Sequence, residues 1–103
     1  MLPDQTIQAA VERIVAAANP TRVILFGSYA RGEANEDSDL DLMVVEKVVA
    51  NVGEEMVRLR HVVGDVGIGV DVLVYSEQEF EKRREWCSSP VYWATREGKV
   101  LYG

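Results

Sequence analysis

The chain has 103 residues and a formal charge of −6, from 11 lysines and arginines against 17 aspartates and glutamates, with 48% hydrophobic residues. That is the size and composition of one globular domain spanning residues 1–103, with enough apolar content to exclude a disordered chain. The acidic balance excludes a broad basic face, so direct binding to nucleic acid is not expected. Cys87 stands alone, which rules out an intrachain disulfide or a thiolate metal cluster and suits a reducing compartment. The N-terminal segment carries Asp4, Glu12 and Arg13 inside its apolar pattern, so it lacks the uninterrupted core of a signal peptide, and no apolar run reaches the ~18–20 residues that cross a bilayer. A cytoplasmic protein without a membrane partner is expected.

Ile7, Ala10, Val11, Ile14, Val15 and Ala18 share one helical stripe, which predicts a helix from about Asp4 that Asn19-Pro20 stops. Arg22–Phe26 is a short, nearly all-apolar run and reads as a central strand buried on both faces. Gly27-Ser28 opens a short helix that Gly32 closes, residues 33–38 are turn material, and residues 39–45 form a second strand. Val49, Val52, Met56, Leu59 and Val63 recur at helical spacing, with Glu54 and Arg58 expected to pair on the outer face. After a loop at residues 64–69, residues 70–75 make a third strand. Ser76 and Glu79 fit a capping box for a helix running to about Trp86, Ser89-Pro90 fits the start of another ended by Gly98, and residues 99–102 add an edge strand. This order predicts an α/β (α+β) fold, a small mixed β-sheet flanked by helices.

The chemistry is concentrated between Gly27 and Asp41. Glycine lets the backbone approach a ligand closely, a helix start presents free N–H groups suited to phosphate, and Ser28 adds a hydroxyl donor. Asp39 and Asp41 stand two apart on a strand, so both project from one face about 6.6–6.8 Å apart along the chain. Crowded carboxylates repel one another, and Mg²⁺ relieves that repulsion while keeping positions for water and substrate phosphates. Asp71 interrupts an otherwise apolar strand and needs a partner for its charge. If that strand lies beside the one carrying Asp41, Asp71 completes a carboxylate set able to hold two metals ~3.5–4 Å apart for phosphoryl or nucleotidyl transfer.

Competing motifs fail on particular residues. Asp37, Asp39 and Asp41 mimic the start of an EF-hand loop, but Leu42 stands where glycine is required and Val48 where the bidentate glutamate belongs. Gly27 and Gly32 have P-loop spacing, yet Glu33 replaces the lysine, and Gly67 and Gly69 precede a strand without the third glycine of a dinucleotide fingerprint. The bland alternatives are a solvated turn for Asp39 and Asp41, and for Asp71 an edge-strand carboxylate facing water or a salt bridge with Arg22 or Arg31. Arg31 fits either a phosphate or a neighbouring carboxylate. His61 reads as a surface residue, Cys87 as a buried or half-buried thiol, and the group Trp86, Tyr92, Trp93 and Tyr102 as core or an interface.

Gly27-Ser28, ten intervening residues, Asp39-Leu40-Asp41 and a later strand aspartate resemble the DNA polymerase beta superfamily of nucleotidyltransferases. The wording of residues 28–45 and the short length are most similar to its minimal nucleotidyltransferase branch, and the resemblance covers nearly the whole chain. It implies the nucleotidyltransferase fold, with Gly27 and Ser28 holding the triphosphate of ATP, Asp39 and Asp41 coordinating two Mg²⁺ ions, and Asp71 ligating the catalytic metal and orienting or deprotonating the attacking hydroxyl. Many members pair with a HEPN-domain toxin and act as its antitoxin, in some cases by moving AMP to a toxin tyrosine. A non-enzymatic antitoxin that masks its partner by contact is the alternative.

Overall fold

In the computed structural model, which describes residues 2–103, the predicted apolar stripe forms α1, Asp4–Ala18, burying Ile7, Ala10, Val11 and Ile14. Asn19 ends the helix at φ 46°, a left-handed conformation that asparagine tolerates. The chain continues through β1 (Arg22–Phe26), α2 (Ser28–Arg31), β2 (Leu40–Glu46), α3 (Val52–Val63), β3 (Val70–Ser76), α4 (Glu77–Arg83), α5 (Pro90–Glu97) and β4 (Lys99–Tyr102).

The strands form one mixed sheet in the order β3-β2-β1-β4. β1 runs antiparallel to both β2 and β4, whereas β2 and β3 are parallel. A parallel pair cannot be closed by a tight turn, and α3 supplies the crossover. Leu42, Val44, Val72 and Val74 pack with Ile14, Leu59 and Val63 on one face. Ile24, Met43 and Val45 pack with Phe80, Val91 and Ala94 on the other. β2 is covered on both sides, the physical reason for its unbroken Leu-Met-Val-Val run.

Several local expectations are corrected. α3 begins at Val52 and excludes Val49, because the Asn51 side chain accepts a hydrogen bond from the Glu54 N–H at 3.0 Å and fixes the helix start. Arg58 grips Glu55, not Glu54, through Nε and Nη2 at 2.7 and 2.8 Å. α4 stops at Arg83 and does not reach Trp86; the chain turns there, with the Trp86 N–H bonded to the Arg83 carbonyl at 3.0 Å. Cys87 is exposed rather than buried, since it lies in the next turn, which the Ser89 N–H closes on the Trp86 carbonyl at 2.9 Å. Arg31 takes its carboxylate reading, pairing with Glu33 at 2.6 Å. Both caps are formed, Ser76 accepting from the Glu79 N–H and Ser89 from the Val91 N–H, each at 3.2 Å.

At the far end of β2, Glu46 is buried and its Oε2 has no partner among the described residues unless it is protonated. Burial, followed by a hydrogen bond to Glu55, raises Glu46 from 4.5 to about 7, while the Arg58 guanidinium holds Glu55 well below the carboxylate range. The folded state therefore prefers protonated Glu46. Its stabilising contribution is complete below pH 4.5 and is lost as pH rises through about 7. Glu46→Gln supplies a permanent donor to Glu55. Its melting temperature should exceed the wild type's by about 4–8 °C near pH 8 and match it near pH 5. A lower melting temperature for the variant at the higher pH would refute this pairing.

Candidate functional site

The site lies at the opposite end of β2. Residues 35–38 form a tight polar turn in which the Asn35 side chain accepts from the Asp37 N–H at 2.8 Å and the Asn35 N–H donates to Ser38 Oγ at 2.9 Å. The turn delivers Asp39 to the head of β2, where the Leu40 N–H bonds the Gly69 carbonyl at 2.9 Å. Asp41 then pairs in register with Phe26 of β1 on one side and with Asp71 of β3 on the other. Register partners in a parallel pair project from the same face. The adjacency that the sequence left open is thus decided by the sheet order.

Two glycines make room for two aspartates. A Cβ on Gly27 would overlap Asp41 Oδ2 and come within 3.1 Å of its Cγ. Gly27 also sits at φ 73°, ψ −155°, a conformation essentially confined to glycine. A Cβ on Gly69 would overlap Asp39 Oδ1 and stand 3.0 Å from its Cγ. The role of Gly69 was not legible in the sequence, where it belonged to a loop; the signal appears once β2 and β3 are aligned, because Gly69 is then the residue facing Asp39. α2 begins directly after Gly27 with no side-chain cap, and it is anchored by buried Tyr29, whose hydroxyl accepts from the Leu2 N–H at 3.1 Å.

Asp41 is half-buried, with Asp39 and Asp71 exposed. Burial raises Asp41 from 3.8 to about 6, reinforced by the charges of Asp71 and Asp39 and by a hydrogen bond with Asp71, against a smaller opposing pull from Arg31. The pocket is therefore short of positive charge. Among the described residues no three His, Cys, Asp or Glu side chains form a ready-made metal cage; Asp41 and Asp71 face each other, and Asp39 leans over Gly69. A hard cation with all-oxygen ligands and free positions for phosphate fits this donor set, as Mg²⁺ does. A cavity of about 310 Å³ opens beside the pair, walled by Phe26, Met56, Val57 and Leu73 with Arg60 at its edge.

The sequence pattern of the family described as "Nucleotidyltransferase domain" matches residues 6–96, from within α1 to within α5. The chain belongs to the nucleotidyltransferase domain family. This nucleotidyltransferase is 33% identical over 81 residues to MJ0604 of Methanocaldococcus jannaschii, named "putative protein adenylyltransferase", covering 79% of this chain and 77% of that one. It is 36% identical over 53 residues to MJ0141 of the same organism, which carries the same designation, and there it spans only about half of either chain, 52% of each. Its fold matches the crystal structure of a "putative nucleotidyltransferase" from Sulfolobus solfataricus with a TM-score of 0.61 at 27% identity, over 76% of this chain and 70% of that one. It also matches a toxin-antitoxin crystal structure containing AMP-PNP, with a TM-score of 0.66 at 20% identity, over 93% of this chain and 73% of that one. These likenesses agree with the mixed sheet and flanking helices expected from the element order.

Proposed function

We propose that this nucleotidyltransferase moves AMP from ATP to a tyrosine hydroxyl of a HEPN-domain toxin partner and so acts as its antitoxin, the 103 residues serving as one catalytic domain in the cytoplasm. The observation that carries the reading is the facing pair Asp41 and Asp71 beside Gly27-Ser28. The names of the two archaeal relatives support protein as the acceptor class, and the toxin-antitoxin fold neighbour with its ATP analogue supports both the nucleotide and the kind of partner.

Gly27 and Ser28 hold the triphosphate by close backbone approach and a hydroxyl donor. Asp39, Asp41 and Asp71 would hold Mg²⁺, which when bound offsets phosphate charge and favours an ionised acceptor oxygen. Asp71 orients the acceptor hydroxyl and accepts its proton. The acceptor oxygen forms a bond to the α-phosphorus, the bond from that phosphorus to the bridging oxygen breaks, and pyrophosphate leaves with the electron pair. The shortage of positive charge at Asp41 calls for a cation alongside the nucleotide, because an unneutralised carboxylate cluster would repel the triphosphate.

Titration calorimetry tests the nucleotide site. Ser28→Ala should weaken Mg·ATP binding by about tenfold, the loss of one hydrogen bond to a charged group, and chelation of the metal should weaken it further. Affinity indifferent to both changes would place the nucleotide elsewhere. The acceptor is tested by the intact mass of the toxin partner after incubation with ATP and Mg²⁺. A gain of one or more AMP units supports transfer, and neutralisation with no gain supports masking by contact.

A further inference from the structure

We infer that the cavity beside Asp41 and Asp71, continued along the open edge of β3, is a docking groove for an extended acceptor segment of a partner protein, in which Arg60 selects an acidic residue close to the acceptor tyrosine. The inference rests on the transfer reading above and adds where the acceptor sits and what recognises it.

Three features of the molecule lead there. First, the two sides of Asp41 differ. Asp41 is flanked by Phe26 of β1 on one side and by Asp71 of β3 on the other; with the triphosphate on Gly27-Ser28, as the transfer reading has it, the β3 side is left to the acceptor. β3 ends the sheet, and among the described residues its outer backbone groups have no strand partner, which makes it a template for strand addition.

Second, the space there is long and apolar. The cavity of about 310 Å³ at the carboxylates shares Met56 and Leu73 with a second hollow of about 510 Å³ bordered by Val52, Tyr75 and Arg83. Val52 and Val57 of α3 stand 43% and 58% exposed along this path. A groove of that length, open to solvent and running beside a free strand edge, fits a stretch of chain better than a single small molecule. Its apolar wall at the carboxylates accepts a phenol ring with the hydroxyl directed to Asp71.

Third, the charge at the groove's inner end is uncommitted. Arg31, Arg58, Arg83, Arg84 and Arg96 are held in ion pairs, Arg13 bonds the Val63 carbonyl, and Arg22 lies over the Phe80 ring. Arg60 makes no ion pair or side-chain hydrogen bond among the described residues, yet it lines the same cavity as Asp41 and Asp71. A guanidinium so placed is complementary to a carboxylate on the incoming segment.

The test uses the full chain, Mg·ATP and two synthetic tyrosine peptides that differ only in glutamate or glutamine two residues from the tyrosine. AMP transfer is read by mass and Mg·ATP affinity by calorimetry. The acidic peptide should be modified with roughly fivefold higher kcat/KM, the scale of one exposed ion pair. Arg60→Ala should bring that ratio to one, Arg60→Lys should restore part of it, and Val57→Asp, at an exposed position, should raise KM for both peptides. Equal loss on both peptides in Arg60→Ala, or weakened Mg·ATP binding in that variant, would overturn the selection role. Modification of neither peptide by a wild-type protein that binds Mg·ATP would overturn the groove while leaving the nucleotide site standing. Absence of Mg·ATP binding would instead remove the transfer reading, and the groove with it.

Discussion

Replacing both Asp39 and Asp41 by asparagine is expected to abolish nucleotidyl transfer while the metal-free protein becomes more stable. Asparagine keeps the size and much of the hydrogen bonding of aspartate but removes the charge that recruits a cation. Loss of that charge should reduce transfer by at least about 10³-fold, the scale reached when a charge-stabilising group is removed from a reacting site. The opposite effect on stability follows from the raised Asp41, which burial and the charges of Asp71 and Asp39 move from 3.8 to about 6. The folded chain prefers protonated Asp41, so its stabilising contribution is complete below pH 3.8 and is lost as pH rises through about 6. Above that pH the ionised cluster works against folding, and the double substitution relieves it. In a chelating buffer near pH 8 the variant should melt a few degrees higher, about 4–8 °C for each kcal/mol of relief. On the proposed antitoxin function, the variant should still bind its partner in cells and fail to protect. A folded variant that protects fully at normal expression would leave contact masking as the mechanism.

Gly27→Ala should have the reverse signature, losing stability and activity together. The substitution places a methyl group against Asp41 Oδ2 and demands φ 73°, ψ −155° of a residue with a Cβ. Strain in that region costs about 1–3 kcal/mol, and displacement of the Asp41 carboxylate comes on top. A fall in melting temperature of about 10 °C is expected, with transfer reduced by about 10²-fold even at low temperature, because a 1 Å shift of a reacting group is enough for that loss. Gly32→Ala is the informative control. Gly32 has a similar positive φ of 71°, but beyond its chain neighbours no atom of the described residues lies within 4 Å of its Cβ position, so this variant should lose stability while keeping most of its transfer rate. Equal loss of transfer in the two variants would show that backbone strain, and not the contact with Asp41, is what matters.

The pattern of residues was enough to draw the elements. Apolar periodicity placed α1 and α3, the buried run at residues 22–26 placed β1 without error, and glycine, asparagine and serine at the boundaries marked most of the ends. These features are legible because they depend on neighbours a few positions apart. The misses were also local in origin but were decided by partners the sequence does not announce. Arg58 chose Glu55 over Glu54 because Glu55 is held against Glu46, and α4 ended early in the turn that the Trp86 N–H closes on the Arg83 carbonyl.

The motif itself, Gly27-Ser28 and Asp39 with Asp41, was legible in the sequence as a spacing, although β2 begins at Leu40 and leaves Asp39 just ahead of the strand. What only the tertiary structure decided was the company they keep. Parallel pairing of β2 with β3 brought Asp71 beside Asp41 across thirty positions of chain, and the same register set Gly69 under Asp39 and left β3 as the open edge next to Arg60. Pairing of distant strands is settled by which apolar faces can be covered at once by α1, α3, α4 and α5. That is a property of the whole packed chain and of no segment of it.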